Sequence, residues 1–554
     1  MIGICGNLTG LTQGKEATPV VQVERMPRWT QESAVKVATV ETPTHLLGWL
    51  PFVWTGVLFP GPCSESTAWR WRPFAIIFVL TAAILYPCMS FHLFEPDEGR
   101  YAQIPREMLE RGEWLVPVLQ GEPYLDKPPL FYWLVMLSYS LFGYHEWAAR
   151  LIPALAIHTS VLLVFGIGRR LVGERSAFWG ALLLIVSPFF LGVGRLLVLD
   201  GLLTLWITLA WLAGYHACAD RQPRRGWWLV AALACALGVL TKGPVALLLV
   251  VPPLVVQRWL NPVAYDSNRV DASATESHDW NRMPRLWLVF VAIILAVNLP
   301  WYAAVCVQRP EFGRYFLLQH NIQRFVEPFD HVQPVWFYAP YLLSGLLPIT
   351  LLAWPLMRFL TSTRTDDSQK RCPAMGYLLL VGLWCVFFFS LAGSKLPTYI
   401  LPAFPPLCLA LGCFVARTDR CRSRWVIGLI ASFWLVQAFV NGVLVPAYAR
   451  QRSPMADAAA MRERCGDPAT PVVCFPRHVD SVAFATGRSD FRAYRSKEID
   501  ALVTELDKHP RTVVLFGHHN SPGTLARHLP AHLRLIERRP MGLYESALIV
   551  RAAP

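Results

Sequence analysis

Carboxylates and cations stand close to long apolar runs at several places in this chain of 554 residues. The densest group lies in Phe94-Glu-Pro-Asp-Glu-Gly-Arg-Tyr, where Asp97, Glu98 and Arg100 follow an apolar stretch directly, and Arg106, Glu107, Glu110 and Arg111 continue at helical spacing. Charge at the edge of hydrocarbon is costly unless it is paired, hydrated or used. Asp97 and Glu98 can act as general acid or base on a hydroxyl held within about 3 Å. The plainer alternative is that they solvate a helix end.

Lys127, in Tyr124-Leu-Asp-Lys-Pro-Pro, precedes another apolar segment at the depth of a lipid phosphate. A lysine there can snorkel, but Pro128 and Pro129 stiffen the backbone beside it and favour a positioned ammonium. Asp200, in Gly194-Arg-Leu-Leu-Val-Leu-Asp-Gly, stands between two apolar runs and either caps a helix or takes part in chemistry. Thr241-Lys-Gly-Pro interrupts a further pair, with Lys242 readable as an interface anchor. His320 and Arg324 fall at i and i+4, on one face of a helix. Ser394-Lys-Leu-Pro-Thr-Tyr supplies Lys395 and Tyr399, either of which suits a membrane interface. Cations fixed where negative charge develops assist departure of a phosphate leaving group. Acids and cations together therefore fit group transfer from a phosphorylated lipid.

The elements that must carry these residues are membrane helices. The chain is 54% hydrophobic and 16% charged, with a mean hydropathy of +0.36, against roughly 25% charged residues in soluble proteins. Candidate spans are 74–93, 149–168, 176–193, 201–217, 227–240, 243–257, 286–306, 335–357, 374–392, 398–416 and 425–446, while 128–142 is too short to cross comfortably. That is eleven crossings, within a range of about ten to thirteen. The net charge of +13 does not point to nucleic acid, because the arginines and lysines sit in short clusters between spans. With a cytoplasmic N-terminus, the clusters at 169–175, 218–226, 258–285, 358–373 and 417–424 all face the cytoplasm. The connections at 94–148, 194–200, 241–242, 307–334 and 393–397 then face outward, and every residue singled out above lies in or beside them.

Three regions follow: an irregular cytoplasmic tail at 1–72, a membrane domain at 73–447, and an outward α/β domain at 448–554. In the last, apolar runs at Val472–Phe475, Val513–Phe516 and Ala547–Val550 alternate with helical segments at Pro454–Arg464 and Lys497–Lys508. Cys465 and Cys474 in this domain are available for a disulfide. Other cysteines sit inside apolar runs as small apolar residues, and no Cys/His spacing suggests zinc.

Taken in order, Pro96-Asp-Glu-Gly-Arg-Tyr-Ala, Asp126-Lys-Pro-Pro, the Asp200 turn, Thr241-Lys-Gly-Pro, His320 with Arg324, and Lys395-Leu-Pro-Thr-Tyr resemble the bacterial aminoarabinose–lipid A transferases. That family belongs to a superfamily shared with the protein O-mannosyltransferases. The resemblance covers about residues 74 to 450 and implies a GT-C fold, a polyprenyl-phosphate sugar donor, and transfer on the periplasmic side of the inner membrane. It further implies Asp97 as the main catalytic carboxylate and Asp200 as the second acid. Lys127, Arg324 and Tyr399 would hold the lipid phosphate with Arg100 and Lys395 nearby, and Asp126 and His320 match positions where a divalent metal ion can sit. Asp126 stands where such enzymes are expected to carry Glu, a shorter reach toward a metal.

The acceptor stays open: a lipid A phosphate is already an anion, whereas a protein or glycan hydroxyl makes Asp97 a general base. A transporter of lipid-linked sugars is the rival class, but it calls for ionisable residues near the bilayer midplane, and here the charges gather on one face.

Overall fold

The computed structural model describes residues 71–219, 224–260, 282–323, 325, 331–420, 423–518 and 521–551. The N-terminal tail, most of the 258–285 connection and Arg324 lie outside the described residues.

Among the described residues, seven helices are long and apolar enough to cross a membrane. Two further spans are bent pairs: Glu174–Ile185 with Pro188–Gly194 at 66°, and Tyr338–Gly345 with Ile349–Thr361 at 96°. Pro188 and Pro348 stand at the two breaks and cannot donate a helix hydrogen bond. The Ser187 hydroxyl donates to the Gly345 carbonyl at 2.6 Å, so one bend ties off a backbone group exposed by the other. The shorter apolar helices Trp71–Leu85 and Val245–Leu260, of 15 and 16 residues, stand where the two remaining spans were expected. Leu130–Phe142 has 13 residues, a rise of about 20 Å, too short for an upright crossing of hydrocarbon about 30 Å thick.

Helices meet closely where side chains are small. A Cβ on Gly412 would lie 2.3 Å from the Gly180 nitrogen, so this crossing brings backbone against backbone. Arg195, 1% exposed, donates from its two terminal nitrogens to the carbonyls of Asn441, Pro87 and Cys88, and ties the end of the first span to the last.

Contacts between connections agree with the charge-based topology. Arg175 pairs with Asp419 at 3.0 Å, and Arg417 donates to the Lys370 carbonyl at 3.1 Å. Three of the Arg-rich connections therefore touch at one end of the bundle. The connections that carry the acids and lysines touch at the other.

The C-terminal region is an α/β domain with a five-stranded sheet ordered 492–493, 472–475, 511–516, 544–551, 533–541. The first three strands run parallel and the last two antiparallel. All three expected apolar runs are strands, and Ala458–Cys465 and Ile499–Lys508 are helices as expected. Cys465 and Cys474 are free, buried thiols in the core, not a disulfide. The edge strand Leu533–Met541 does not announce itself, because its five consecutive residues from Ile536 to Pro540 are exposed or nearly so and charge-rich.

Candidate active site

The helix Asp97–Arg111 carries the first group. Asp97 and Glu98 in its first turn complement the positive end of the helix dipole, and Gly112, at φ 64°, closes it in the left-handed conformation.

Glu98 is 2% exposed and fully engaged. One oxygen accepts from Arg150 Nε at 2.9 Å and the Leu197 amide at 2.7 Å. The other accepts from Arg150 Nη2 at 2.7 Å and the Phe94 amide at 2.9 Å. Arg150 lies 3.6 Å above the Phe91 ring and also donates to the carbonyls of Met89 and Phe91. The expectation of a catalytic Glu98 is therefore corrected: four donors hold its carboxylate, and it fixes the turn on which Asp97 stands. Asp97 itself is 53% exposed and meets Arg100 at 3.9 Å. It is the open carboxylate of the pair.

Arg100 leads to the second group. The Tyr124 hydroxyl is hydrogen-bonded to both Arg100 and Asp126. Asp126 also accepts from the Tyr315 hydroxyl at 2.5 Å. Burial works to raise the Asp126 carboxyl, but the Tyr315 hydrogen bond and the neighbouring Lys127 charge hold it below its usual range. Next to it, Lys127 Nζ lies 2.7 Å from His320 Nε2. An ammonium can only donate, so His320 accepts and is the neutral Nδ1–H tautomer. His320 stacks on Phe316 within the π-helical turns Arg314–Gln323.

The third group joins three helix ends. Asp200 Oδ1 accepts from Lys242 Nζ at 2.5 Å, and Oδ2 from the Thr398 hydroxyl at 2.9 Å. The Lys242 ammonium lies 4.1 Å from the centre of the Tyr399 ring, a cation–π contact. Tyr101 lies within electrostatic reach of Asp97, Arg100, Tyr124 and Asp200, so the three groups share one neighbourhood. Lys242, Thr398, Tyr124 and Tyr315 were not expected as site residues. The signal for Lys242 was its place in a turn that Gly243, at φ 91°, makes between two apolar helices.

Lys395 departs from expectation. It is 4% exposed, its ammonium donates to the carbonyls of Gln333, at 2.9 Å, and Ala392, and burial lowers its pKa. With its amide bonded to the His331 carbonyl at 3.0 Å, it staples two outer connections. A lysine spent on two carbonyls is a loop anchor in this arrangement, not a phosphate ligand.

The donors do not fit a tightly held divalent ion. The His320 lone pair faces the Lys127 ammonium, Asp126 is engaged by Tyr315, and no group of three or more His, Cys, Asp or Glu is arranged for a metal among the described residues. Ion and ammonium would compete for one nitrogen.

Beside these groups is an apolar cavity of about 360 Å³ lined by Trp114, Leu115, Trp133, Leu240, Val297 and Trp301. Its walls belong to the cluster that packs Leu125 and Leu130, on either side of Lys127, together with Phe316, one helical turn before His320.

A family model described as dolichyl-phosphate-mannose-protein mannosyltransferase matches residues 126–265, the stretch from Asp126 through Asp200 and Lys242. An undecaprenyl phosphate-alpha-4-amino-4-deoxy-L-arabinose arabinosyl transferase from Pseudomonas fluorescens (strain Pf0-1) is 32% identical over 402 residues, covering 70% of this chain and 67% of the relative. The chain belongs to this aminoarabinosyl transferase family. Another member, from Edwardsiella ictaluri, is 36% identical over 63% of this chain and 59% of its own. Against the first such relatives the chain spans 59% to 64% of their length. Crystalline ArnT from Cupriavidus metallidurans, bound to undecaprenyl phosphate, superposes with a TM-score of 0.66 at 21% identity, over 86% of this chain and 97% of that one. This family member therefore has the expected GT-C fold: a polytopic helical membrane domain with a small α/β domain.

Proposed function

We propose that this integral membrane protein is a glycosyltransferase that takes 4-amino-4-deoxy-L-arabinose from undecaprenyl phosphate and transfers it to lipid A at the periplasmic face of a bacterial inner membrane. The observation that carries this reading is the Lys127–His320 contact at 2.7 Å, set between the Asp97–Arg100 turn and an apolar cavity. A phosphorylated isoprenoid needs both features: a cation at headgroup depth and an apolar seat for its chain.

In the reaction, the bond between the anomeric carbon and the carrier phosphate breaks, and its electron pair leaves with the phosphate oxygen. An oxygen of the acceptor forms the new bond to that carbon. Lys127, with Arg100 and Tyr399 nearby, stabilises the phosphate as its charge grows. Arg324 is assigned to the same task by the resemblance. A lipid A phosphate attacks as an anion and needs no strong base, so Asp97 orients the sugar and balances the charge developing on it. Asp200, neutralised by Lys242, holds the Tyr399 turn in place. No step runs through a metal.

The family model supports a second reading, transfer to a protein hydroxyl. Asp97 would then remove the hydroxyl proton as general base. Mass spectrometry of lipid A and of glycoproteins from cells with and without this chain decides between them. Aminoarabinose on lipid A only when the chain is present supports the main reading. A sugar on protein instead supports the second, and no chain-dependent change in either rejects both.

A further inference from the structure

The C-terminal domain rests directly on the helix that carries Asp97. Gln103 Nε2 donates to the Arg488 carbonyl at 2.7 Å and Arg106 Nη1 to the Ala483 carbonyl at 3.2 Å. Gln120 donates to Asp480 Oδ1 at 3.0 Å and accepts from the Phe491 amide at 3.2 Å. The Phe484 ring joins the apolar cluster of Tyr101 and Tyr139. At the helix start the Ser481 amide donates to Glu95 Oε1 at 2.5 Å. A Cβ on Gly99 would lie 2.7 Å from that amide nitrogen, so only glycine lets the domain come this close.

Glu95 is two residues from Asp97 and faces an acid of the other domain. Asp480 is 1% exposed, and Glu95 Oε2, Asp480 Oδ2 and His478 Nδ1 are buried without hydrogen-bond partners among the described residues. The groups in electrostatic reach of the two acids are Arg100 on the Asp97 helix, His478 beside Asp480, Cys474 on the neighbouring strand and Tyr544 across the sheet. Arg495 reaches His478, and Arg477 reaches Tyr544. Burial lowers the pKa of His478, against the pull of the Asp480 charge, which raises it. Among the described residues Arg100 is the cation acting directly on both acids, and His478 adds to it at Asp480 only while protonated, so with His478 neutral ionising both acids leaves a buried negative charge uncompensated.

We propose that the C-terminal domain is a positioning part of the active site, which holds the Pro96–Asp97 turn through Glu95 and Asp480 as long as one of these two carboxyls keeps its proton. The inference rests on the function proposed above for its catalytic readout, and on the interface alone for its structural one. Burial first, and then the charge of Asp480, push the Glu95 carboxyl up to about 8. A carboxyl raised in the folded state favours the docked form at low pH, and that contribution is lost as pH rises through the raised value. Above about pH 8 the two carboxylates repel, the Ser481–Glu95 contact opens, and Asp97 loses its position.

The test uses the full chain in lipid nanodiscs. The kcat of the wild type should fall on the alkaline side with a midpoint near pH 8. In Glu95→Gln and in Asp480→Asn that limb should move up by about one pH unit or more, since a single acid facing Arg100 has no like charge to shed. Gly99→Ala, which changes no charge but whose Cβ would meet both the Ser481 amide nitrogen and Glu95 Oε1, at 2.7 and 2.6 Å, should lower kcat at every pH. Hydrogen exchange of the 97–111 amides below and above pH 8 gives the structural readout: protection lost in the wild type and retained in Glu95→Gln. An unmoved midpoint in both carboxyl variants, or equal exchange in wild type and Glu95→Gln at high pH, overturns the proposal. If the wild type transfers no aminoarabinose at any pH, the proposed function fails, and the exchange comparison still decides this inference.

Discussion

Asp97 and Glu98 are adjacent carboxylates in opposite circumstances. Glu98 meets a buried arginine 52 residues further along the chain, while Asp97 keeps half its surface open. Sequence could not separate them, since both stand just past an apolar run and the partner that distinguishes them is remote. The consequences of losing them should differ. Asp97→Asn should cut sugar transfer by about 10²–10³, the cost of losing a preorganised charge beside the reacting sugar, while leaving the melting temperature unchanged, read by transfer assay and thermal unfolding of the same preparation. Glu98→Gln should cost about 3–5 kcal/mol of stability, because the buried Arg150 loses its counter-charge. Lys395 teaches the same lesson in reverse. Its place before Leu-Pro-Thr-Tyr marked it as a cation near phosphate, but its bonds to the carbonyls of Gln333 and His331 are invisible until the 331–333 segment folds against it.

Spans were legible because hydrocarbon dictates their length and composition, whereas their bends were not. The expected spans 176–193 and 335–357 run straight through Pro188 and Pro348, where the helices turn by 66° and 96°. The ends of helices hold the remaining chemistry. Asp200, Lys242 and Thr398 come from three of them, and Lys242 could be read only as an anchor because nothing local names its partner. Lys242→Met should therefore destabilise the protein by about 3–5 kcal/mol through the unpaired Asp200. The double variant Asp200→Asn with Lys242→Met should recover part of that loss, since the two sites share one interaction. Thermal unfolding of the four proteins in one detergent gives the coupling, and additive losses would dissolve the pair. In the soluble domain, strand Leu533–Met541 escaped notice because its exposed face is charged, while the inner strands stood out as apolar runs.

Among the described residues the helix connections meet in two separate groups that differ in charge. Arg175, Asp419, Arg417 and Lys370 touch at one end, while Asp97, Lys127, Asp200 and Lys242 lie at connections of the other. This was the most legible property of all, because the Arg and Lys bias of alternate loops follows from how helices insert. It gives a direct expectation for side-specific labelling. In a chain with its native cysteines replaced, Glu122→Cys should react with a membrane-impermeant maleimide in intact cells, and Asp366→Cys only after permeabilisation. Both positions are exposed, so access and not burial sets the result. Reaction of both from outside would break the topology on which the outer site depends.

The claim beneath all of this is that Lys127 seats a lipid phosphate. Titrating undecaprenyl phosphate into the purified full chain, with wild type and Lys127→Ala compared at one ionic strength, measures it. A charged hydrogen bond contributes about 1.5–3 kcal/mol, so affinity should drop about 10- to 100-fold in the variant. Equal affinity for the two proteins would contradict the account.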